Sequence, residues 1–540
     1  MKTPIHDYLV VGSGCSAAMA AQTLVEAGAA VTMVDVGNTN PDYHSLVPQK
    51  DFITIRQQEA DQYRYMIGDQ AEGVVWGDIG KGAQIAPPRK HMLKDIERYL
   101  PIESRTFFPV ESLGYGGLGI GWGLQCWEYS DAGVAAAGLD TKRMAAAYET
   151  VSKRIGISAT KDDASKYTMV HLKNYQPSPQ MDRNHQAIMQ RYQAHKPYFD
   201  QRSFTLGRTP LALLTKDKGD RKAYKYNDMD FYHDNDQSAW RPWMTVNKLR
   251  EQSNFTYIGG HLVVKYAEKR DHIAVTCLTV PGHRQVVLRC RKLILGSGAL
   301  GSARLALRSS DQPHTQLPLL CNPYTYIPCL QPSMVGKAVE AKKLGFAQLS
   351  LFLDEAGNDL DGSVASLYGY QSLMLFRLVG QVPFLNFSDA RKMLQYLASG
   401  LVIMGVHHPD EATAQKYVSL VSKAGTPTGD HLQAHYELGP DERSAYAARE
   451  KKFITAARKL GLYAAKRVDP GYGASIHYAG TLPFSTEEKP FTLDPTGRMH
   501  GTKNIYVADS SGFTYLPARG LTFSLLANAH ITAQKVLENA

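Results

Sequence analysis

The chain opens on a short apolar run, followed by a glycine turn and an alanine-rich segment. Residues 7–37 read DYLVVGSGCSAAMAAQTLVEAGAAVTMVDVG. This pattern predicts a strand over Tyr8–Val11, a helix after it, and a second strand that ends at Asp35. A glycine turn between a buried strand and a helix is typical of a parallel βαβ unit.

Further along the chain, two more segments of this strand-and-helix type alternate with segments of other patterns. KLILGSGALGSARLAL predicts another strand, glycine turn and helix, and residues 503–539 predict a strand, a loop and a long helix. Residues 442–461 predict a charged helix, whereas residues 160–243 are polar and irregular. Three apolar runs predict strands of a second sheet, at residues 345–355, 364–376 and 400–407.

The first glycine turn has the residues of a dinucleotide site. Gly12 permits the tight turn, and Gly14 lets the backbone approach a pyrophosphate at the helix N-terminus. Ala17 lets the helix pack closely on the strand, and Asp35 is placed to accept a hydrogen bond from a ribose hydroxyl. Because strand, helix, second strand and acid occur in register, the fingerprint predicts dinucleotide binding rather than a plain βα turn.

Composition indicates a globular protein of two or three domains, with 540 residues and 21% charged residues. The six cysteines are scattered without a C-x-x-C pair, so we expect reduced thiols and a cytoplasmic location. We expect neither a signal peptide nor a membrane span, since no matching apolar run is present. The net charge of +9 includes no long Lys/Arg block, and no nucleic-acid partner is expected.

Four segments together resemble the glucose–methanol–choline (GMC) oxidoreductase family. The first is the fingerprint from Gly12 to Asp35, and the second is GGLGIGWGLQCWEYSD at residues 116–131. The third is LILGSGALGSARLAL, and the fourth is SIHYAGTLPF with the closing segment that contains NIYVADSSG. The glycine loop resembles the variant found in pyranose oxidase-like and glucoside dehydrogenase-like members.

The interleaved order favours a flavoprotein of two domains over a nicotinamide enzyme. The predicted fold class is α/β, and α+β overall: a Rossmann-like FAD-binding domain with an interleaved substrate domain built on an antiparallel sheet. The FAD-binding domain is assigned to residues 1–150, 245–325 and 466–540, and the substrate domain with its cap to residues 151–244 and 326–465.

The resemblance implies FAD and hydride transfer from an alcohol carbon to flavin N5. Glycines let main chain lie against a flat ring, and the backbone N–H of Asp509, after a strand, can meet a phosphate oxygen. Val264, or Val263 beside it, lies where the family clamps the adenine, and plain strand core is the alternative for both. Besides the fingerprint, the expected cofactor-binding residues are Gly116, Gly117, Gly119, Trp122, Val264, Asp509, Ser510 and Thr522.

Two expectations concern how the flavin is bound and where its electrons go. Gly121 stands where some relatives attach flavin through a histidine, so we expect non-covalent FAD. No second complete fingerprint remains for a nicotinamide, so electrons are expected to leave to oxygen, a quinone or a protein.

His477 is the expected base for the hydroxyl proton, because it lies in the SIHYAGT motif and imidazole exchanges protons near neutral pH. The family usually adds a second His or Asn before the last helix, where this chain has Gly520. His477 then acts alone, or Arg519, Tyr478 or a residue of the second domain assists it. A cation at Arg519 would stabilise an alkoxide or a reduced flavin, and a surface arginine is the alternative.

Three other segments leave alternatives open. His407 and His408 follow an apolar strand and point to opposite faces of it, so we expect a structural or substrate-pocket role and no metal site. The run Tyr224–Trp243 either lines a pocket or packs on the FAD-binding domain. Residues 370–404 form either an amphipathic hairpin that contacts a membrane or a greasy substrate, or buried core.

Three functions follow from these observations. The first is FAD-dependent oxidation of a CH–OH group in an alcohol, a sugar or a sterol-like molecule, by a dehydrogenase or an oxidase. The absent second base also permits a GMC-fold lyase, isomerase or desaturase. The third is a non-catalytic flavoprotein subunit, against which His477 and the intact fingerprint argue.

We predict that the purified protein is yellow and releases FAD on acid precipitation, since Gly121 offers no side chain for attachment. Gly14→Glu should give colourless protein, because it places bulk and negative charge where the pyrophosphate lies. Flavin absorbance of supernatant and pellet checks both expectations. Flavin retained in the pellet would contradict non-covalent binding.

Overall fold

The structure is a computed structural model that describes residues 4–39, 45–69, 86–340, 342–369 and 385–539. Within these ranges the strands are β1 Ile5–Val11, β2 Val31–Val34, β3 Ile102–Glu103, β4 Ser158–Ala159, β5 Gln176–Pro177, β6 Phe204–Arg208, β7 Phe255–Ile258, β8 His261–Glu268, β9 Ile273–Thr279, β10 Gln285–Leu295, β11 Leu317–Pro318, β12 Leu320–Cys321, β13 Tyr324–Leu330, β14 Leu349–Leu353, β15 Ser363–Gly369, β16 Leu401–His407, β17 Asp410–Glu411, β18 Lys416–Ser422, β19 Asp430–Tyr436, β20 Tyr463–Ala464, β21 Tyr478–Ala479, β22 Ile505–Val507 and β23 Tyr515–Leu516.

The helices of the described ranges are mostly short. The α-helices are Cys15–Glu26, Phe52–Gln58, Tyr63–Met66, Ile96–Tyr99, Asp131–Ala136, Met144–Ile155, Ser165–Thr168, Arg183–Ala194, Lys196–Asp200, Pro242–Leu249, Ala299–Ser309, Phe387–Leu397, Pro440–Lys459 and Thr522–Glu538. Short stretches of 3-10 helix occur as well, among them Gly117–Gly121 in the glycine loop and Ser510–Gly512 after β22.

The first sheet has the order β7-β2-β1-β10-β9-β8, and β22 also pairs with β10. Strands β7, β2, β1, β10 and β22 run parallel to their neighbours, which is the arrangement of a Rossmann-like sheet. The long strand β10 joins this part to an antiparallel ribbon, because its first half pairs with β9. The predicted βαβ unit is therefore confirmed, and β2 ends one residue before Asp35.

Close packing at the end of β1 and β10 holds the Cys15–Glu26 helix against the sheet. A Cβ on Gly296 would lie 2.7 Å from the Cβ of Ala17, so neither position has room for a larger side chain. Gly12 adopts a φ of +94°, and a Cβ there would lie 2.9 Å from the carbonyl oxygen of Gly296. Only glycine meets both conditions at position 12 without strain.

The second sheet has the order β20-β13-β16-β15-β14-β6 and is antiparallel throughout. It contains the three strands predicted from their apolar runs, so the predicted fold class is confirmed. Its edge strand β6 lies within residues 160–243, which the sequence pattern had suggested to be irregular. The predicted boundary between residues 325 and 326 falls inside the continuous strand β13, and the other domain boundaries stay predictions.

The apolar segment 370–404 is partly described. Residues 370–384 lie outside the described residues, and the following helix Phe387–Leu397 buries Ala390 and Leu394 while Met393 and Tyr396 are exposed. Across the described ranges, no helix combines the length and the apolar character needed to cross a bilayer. Contact of this segment with a membrane surface stays a prediction.

We predict that Gly296→Ala destabilises the protein, because the added methyl group meets Ala17 at a distance at which carbon atoms repel. Overpacking of this kind costs about 1–3 kcal/mol of the free energy of unfolding. Thermal unfolding measures the loss. Gly369→Ala is the matched control, since the nearest atom to its Cβ would be a carboxylate oxygen of Asp182 at 3.8 Å. An unchanged melting temperature for Gly296→Ala would contradict the packing argument.

Candidate active site

A cavity of about 450 Å³ lies at the carboxyl ends of the parallel strands. It is lined by residues that follow β1, β2, β10 and β22, namely Gly12, Asp35, Gly296 and Asp509. Ligands of open α/β sheets bind outside this edge. The same cavity reaches the second sheet at Tyr324, so one space connects the two sheets.

Asp35 marks the β2 end of the cavity. Its carboxylate accepts hydrogen bonds from the hydroxyl of Ser13 and, at 3.4 Å, from the hydroxyl of Tyr257. Burial raises the pKa of Asp35 to about 7, against the effect of the hydrogen bonds from Ser13, the Val36 backbone and Tyr257. An acceptor that is partly removed from water suits the hydroxyls of a ribose.

Two helix N-termini face the same cavity. The Cys15–Glu26 helix begins after Gly14, and the Ala299–Ser309 helix begins after Gly298, which has a φ of +78°. Neither helix has a side-chain cap, so their first backbone N–H groups are available to an anion. A Cβ at Gly14 would come no closer than 4.0 Å to other atoms, so main chain borders open space there. This cradle fits a dinucleotide pyrophosphate.

The structure brings most of the predicted cofactor-binding residues to the cavity and leaves four predicted site residues away from it. Those that line it are Gly12, Gly14, Asp35, Gly117, Gly119, Trp122, Asp509, Ser510 and Thr522. Ala17 packs beneath Gly296, and the backbone N–H of Gly116 donates to the hydroxyl of Ser13. Val263 lines the cavity, whereas Val264 does not, since successive residues of a strand point to opposite faces.

Arg519 is the fourth predicted site residue that lies away from the cavity. Its guanidinium forms an ion pair with Asp359 and donates to the carbonyl oxygen of Glu128 at 2.9 Å. It is 3% exposed and lies outside the set of described residues that line the cavity. The ion pair with Asp359 thus holds the guanidinium among buried residues and out of the cavity lining.

His477 lines the cavity in the loop that precedes β21. Its Nδ1 lies 3.1 Å from Oδ1 of Asn322. The amide nitrogen of Asn322 donates to the carbonyl oxygens of His408, at 2.8 Å, and Pro517, at 2.9 Å. Because both amide hydrogens are used in this way, Oδ1 is the atom that faces His477, and it can only accept.

This contact decides which nitrogen of His477 carries the proton. An acceptor beside Nδ1 requires a hydrogen on Nδ1, which leaves the lone pair of a neutral imidazole on Nε2. Burial lowers the pKa of His477 to about 4, so the ring is neutral near pH 7. His477 therefore presents a proton acceptor to the cavity.

Gly520 lies beside that acceptor. A Cβ at position 520 would be 3.7 Å from both Cε1 and Nε2 of His477 and 3.9 Å from the Trp127 ring. These are ordinary van der Waals distances, so a side chain has room to begin there. The position predicted from the motif is adjacent to His477, and glycine leaves it empty of functional groups.

The adjacent histidines at the end of β16, His407 and His408, do point in opposite directions. His407 lines the cavity, where its ring lies 5.4 Å from the ring of His477 at an interplanar angle of 25°. His408 instead pairs with the hydroxyl of Ser363 at 2.8 Å and approaches Glu450 at 3.5 Å. Among the described residues no group of three His, Cys, Asp or Glu side chains could hold a metal ion.

The second sheet, together with Gln125 of the glycine-loop segment, supplies a mainly aromatic and hydroxyl-bearing wall near the two imidazoles. The members from the sheet are Tyr324, Tyr326, Ser366, Tyr368 and Ile403. The hydroxyls of Tyr324 and Tyr368 are 3.2 Å apart, and Gln125 donates to Ser366 at 2.8 Å. Of the aromatic and acidic run 224–243, Phe231 reaches the cavity, and much of the rest is buried packing.

Several site residues have no clear signal in the sequence. Asn322 stands before a proline between two short strands, and nothing around it indicates a contact with a histidine 155 residues away. Tyr257 lies in a strand and was indistinguishable from strand core. The contact of Ser13 with Asp35 could have been predicted, because Ser13 lies between the first two glycines of the fingerprint, beside the turn that Asp35 faces.

Comparison with known proteins agrees with this arrangement. The family profile described as GMC oxidoreductase matches residues 406–529, which include His407, His477 and Gly520. Paromamine 6'-oxidase from Streptomyces fradiae is 23% identical over 546 residues, covering 97% of this chain and 90% of that protein. The crystal structure of pyridoxine 4-oxidase from Mesorbium loti has a TM-score of 0.58 at 14% identity, covering 98% of each chain.

The profile match coincides with the fourth of the segments on which the resemblance was based, and the structural match extends over the whole fold. The finer likeness to pyranose oxidase-like members stays a prediction. The chain is thus similar to GMC oxidoreductases, by its family profile over residues 406–529 and by its fold over nearly its whole length.

Proposed function

We propose that this protein binds FAD without a covalent bond and oxidises a CH–OH group of a small molecule to a carbonyl, with His477 as the base. FAD, when bound, supplies the acceptor for the hydride. The observation that carries the proposal is the Nε2 lone pair of His477, which Asn322 directs into a cavity bordered by a dinucleotide cradle.

The residues of the cradle divide the binding task. Gly14 and Gly298 open the two helix N-termini to the pyrophosphate, and Asp35 accepts from the ribose. Gly117 and Gly119 line the cavity without side chains, which suits a flat ring against the main chain. GMC oxidoreductases use FAD, and these residues fit that cofactor.

The proton chemistry rests on His477. Oxidation of an alcohol removes one proton from oxygen and one hydride from carbon, and the carbonyl forms only as the proton leaves. Nε2 of His477 takes that proton, while Nδ1–H of the same ring continues to donate a hydrogen bond to Oδ1 of Asn322. The positive charge that forms on the ring is then stabilised by the Oδ1 dipole of Asn322.

The substrate side of the cavity indicates the kind of alcohol. Tyr324, Tyr326 and Tyr368 offer ring faces, and Gln125 with Ser366 offers hydrogen bonds. Such a wall suits a cyclic alcohol that carries polar groups. The two relatives are named as oxidases, which favours oxygen as electron acceptor over a quinone or a protein.

A screen of alcohols, sugars and sterols for anaerobic loss of flavin absorbance tests the proposed function. Bleaching by an alcohol, followed by recovery of the colour with oxygen, is the expected result. A flavin that no CH–OH compound reduces would reject alcohol oxidation and favour a lyase, an isomerase or a binding subunit.

We predict that His477→Ala keeps the yellow colour and the fold but slows flavin reduction by about 10²–10⁴-fold, the usual effect of removing a positioned base. His477→Asn should lose less, because it retains a polar group. Stopped-flow reduction with the best alcohol of the screen measures both rates. A rate for His477→Ala within about threefold of the wild type, with chemistry rate-limiting, would remove His477 from the mechanism.

We predict that Asn322 controls the proton position and the pH profile of His477. Since the neutral ring is the active form and its pKa is lowered to about 4, the limiting reduction rate should stay level as the pH falls through 6.5 and decline only toward 4. Asn322→Leu removes the acceptor for Nδ1–H and should slow reduction by about 10–100-fold, as loss of an orienting partner does.

Asn254→Leu is the control for this variant. Asn254 also donates to two carbonyl oxygens, those of Val25 and Ala29, but touches no imidazole. It should lower the melting temperature and leave the limiting rate and its pH profile unchanged. Equal kinetic effects of the two substitutions would show that Asn322 acts only through stability.

A further inference from the structure

The cavity contains a second imidazole that the mechanism above does not use. Gly520 has no side chain that could form a hydrogen bond with the substrate oxygen. A Cβ added at this position would lie 3.7 Å from the ring of His477. His407 reaches the same place from the opposite sheet. Its ring centroid is 5.4 Å from that of His477, and the two planes are nearly parallel.

The surroundings of His407 fix its position. It is the last residue of β16, paired with Tyr324 of β13 and Val364 of β15. The Tyr324 ring packs on the imidazole with centroids 4.5 Å apart. The side chain is 9% exposed, so nearly all of its surface is in contact with protein.

The hydrogen-bonding state of His407 points to a ligand. Nδ1 is enclosed and has no hydrogen-bond partner among the described residues. Because the residue lines the cavity while Nδ1 is enclosed, Nε2 is the nitrogen that a bound molecule reaches. The Gly405 backbone lies near enough to the ring to raise its pKa, but no described atom meets hydrogen-bond geometry with Nδ1, so the hydrogen is better placed on Nε2.

We propose that His407 takes the place of the side chain missing at Gly520 and donates Nε2–H to the oxygen of the substrate. The two imidazoles then have complementary roles at one oxygen atom: His477 accepts the hydroxyl proton, and His407 donates a hydrogen bond. This inference rests on the proposed alcohol oxidation and assigns a further substrate-contacting residue to it.

The step balances without another reactant. The O–H bond breaks, its proton moves to Nε2 of His477 and the C=O bond forms, and FAD, when bound, would take up the hydride that leaves carbon. Nε2–H of His407 stays intact and stabilises the negative charge that grows on oxygen as the proton leaves. Burial and the nearby His477 and His408 hold the pKa of His407 well below its ordinary value, which keeps it a neutral donor.

The variant His407→Phe separates this role from packing. Phenylalanine keeps a ring beside Tyr324 and His477 and removes both nitrogens. The variant should bind FAD in full and reduce its flavin about 10²–10³-fold more slowly than wild type, the usual effect of removing one donor to a developing oxyanion. Its melting temperature should not fall, because the substitution removes a buried nitrogen that has no partner in the described protein. His407→Gln, which restores an N–H near Nε2, should recover part of the rate.

The variant His435→Phe is the matched control. His435 also packs on a tyrosine, Tyr417, with ring centroids 5.4 Å apart, and lies on β19 outside the cavity lining. It should leave flavin reduction at the wild-type rate. A loss as large as that of His407→Phe would show that the effect comes from general disturbance of the fold and would overturn the proposal.

A double variant tests whether His407 takes over the role of a side chain at position 520. Gly520→Asn in the His407→Phe background places an amide donor next to His477 from the original side and should restore part of the lost rate. No recovery in the double variant, or a single variant His407→Phe within about threefold of wild type, would overturn the proposal. If wild-type flavin is reduced by no alcohol, the proposed function itself fails and this inference falls with it, whereas a reducible wild type with an unaffected His407→Phe rejects only the role of His407.

Discussion

Contact between two small residues at the edge of the parallel sheet is the constraint on which the rest of the molecule depends. Ala17 and Gly296 touch so closely that the Cys15–Glu26 helix can begin directly over the ends of β1 and β10. The helix N-terminus, the glycine turn and Asp35 thereby face one space. A larger residue at either position would push the helix away and widen the cradle that an anion requires.

The candidate active site is assembled from parts of both sheets. His477 comes from the loop before β21, Asn322 from the link between β12 and β13, and His407 from the end of β16. The Asn322 amide ties these parts together, since it bonds at once to His477, the His408 backbone and the Pro517 backbone. The orientation of the His477 ring is thus coupled to the packing of the second sheet on the first.

Burial decides the charge of this site. The pKa of His477 is lowered by the loss of water around the ring, and the same effect acts on His407. Two neutral imidazoles can stack closely, whereas two charged ones would repel. A proton accepted from an alcohol would therefore give one cation beside one neutral ring, and the neutral partner would remain able to donate a hydrogen bond.

The sequence by itself determined the features that depend on near neighbours along the chain. The glycine turn, its helix and Asp35 follow from local patterning, three strands of the second sheet (β14, β15 and β16) from apolar runs, and His477 with Gly520 from surrounding motifs. Strand β6 was missed because the alternation in FTLGR extends over only three residues, Phe204–Leu206, and pairing with β14 stabilises it. Tertiary structure alone decided that Arg519 is held by Asp359, that Val263 rather than Val264 reaches the cavity, and that Asn322 and His407 meet His477. Those contacts join residues far apart in the chain, and their geometry depends on how the two sheets pack, which no local pattern records.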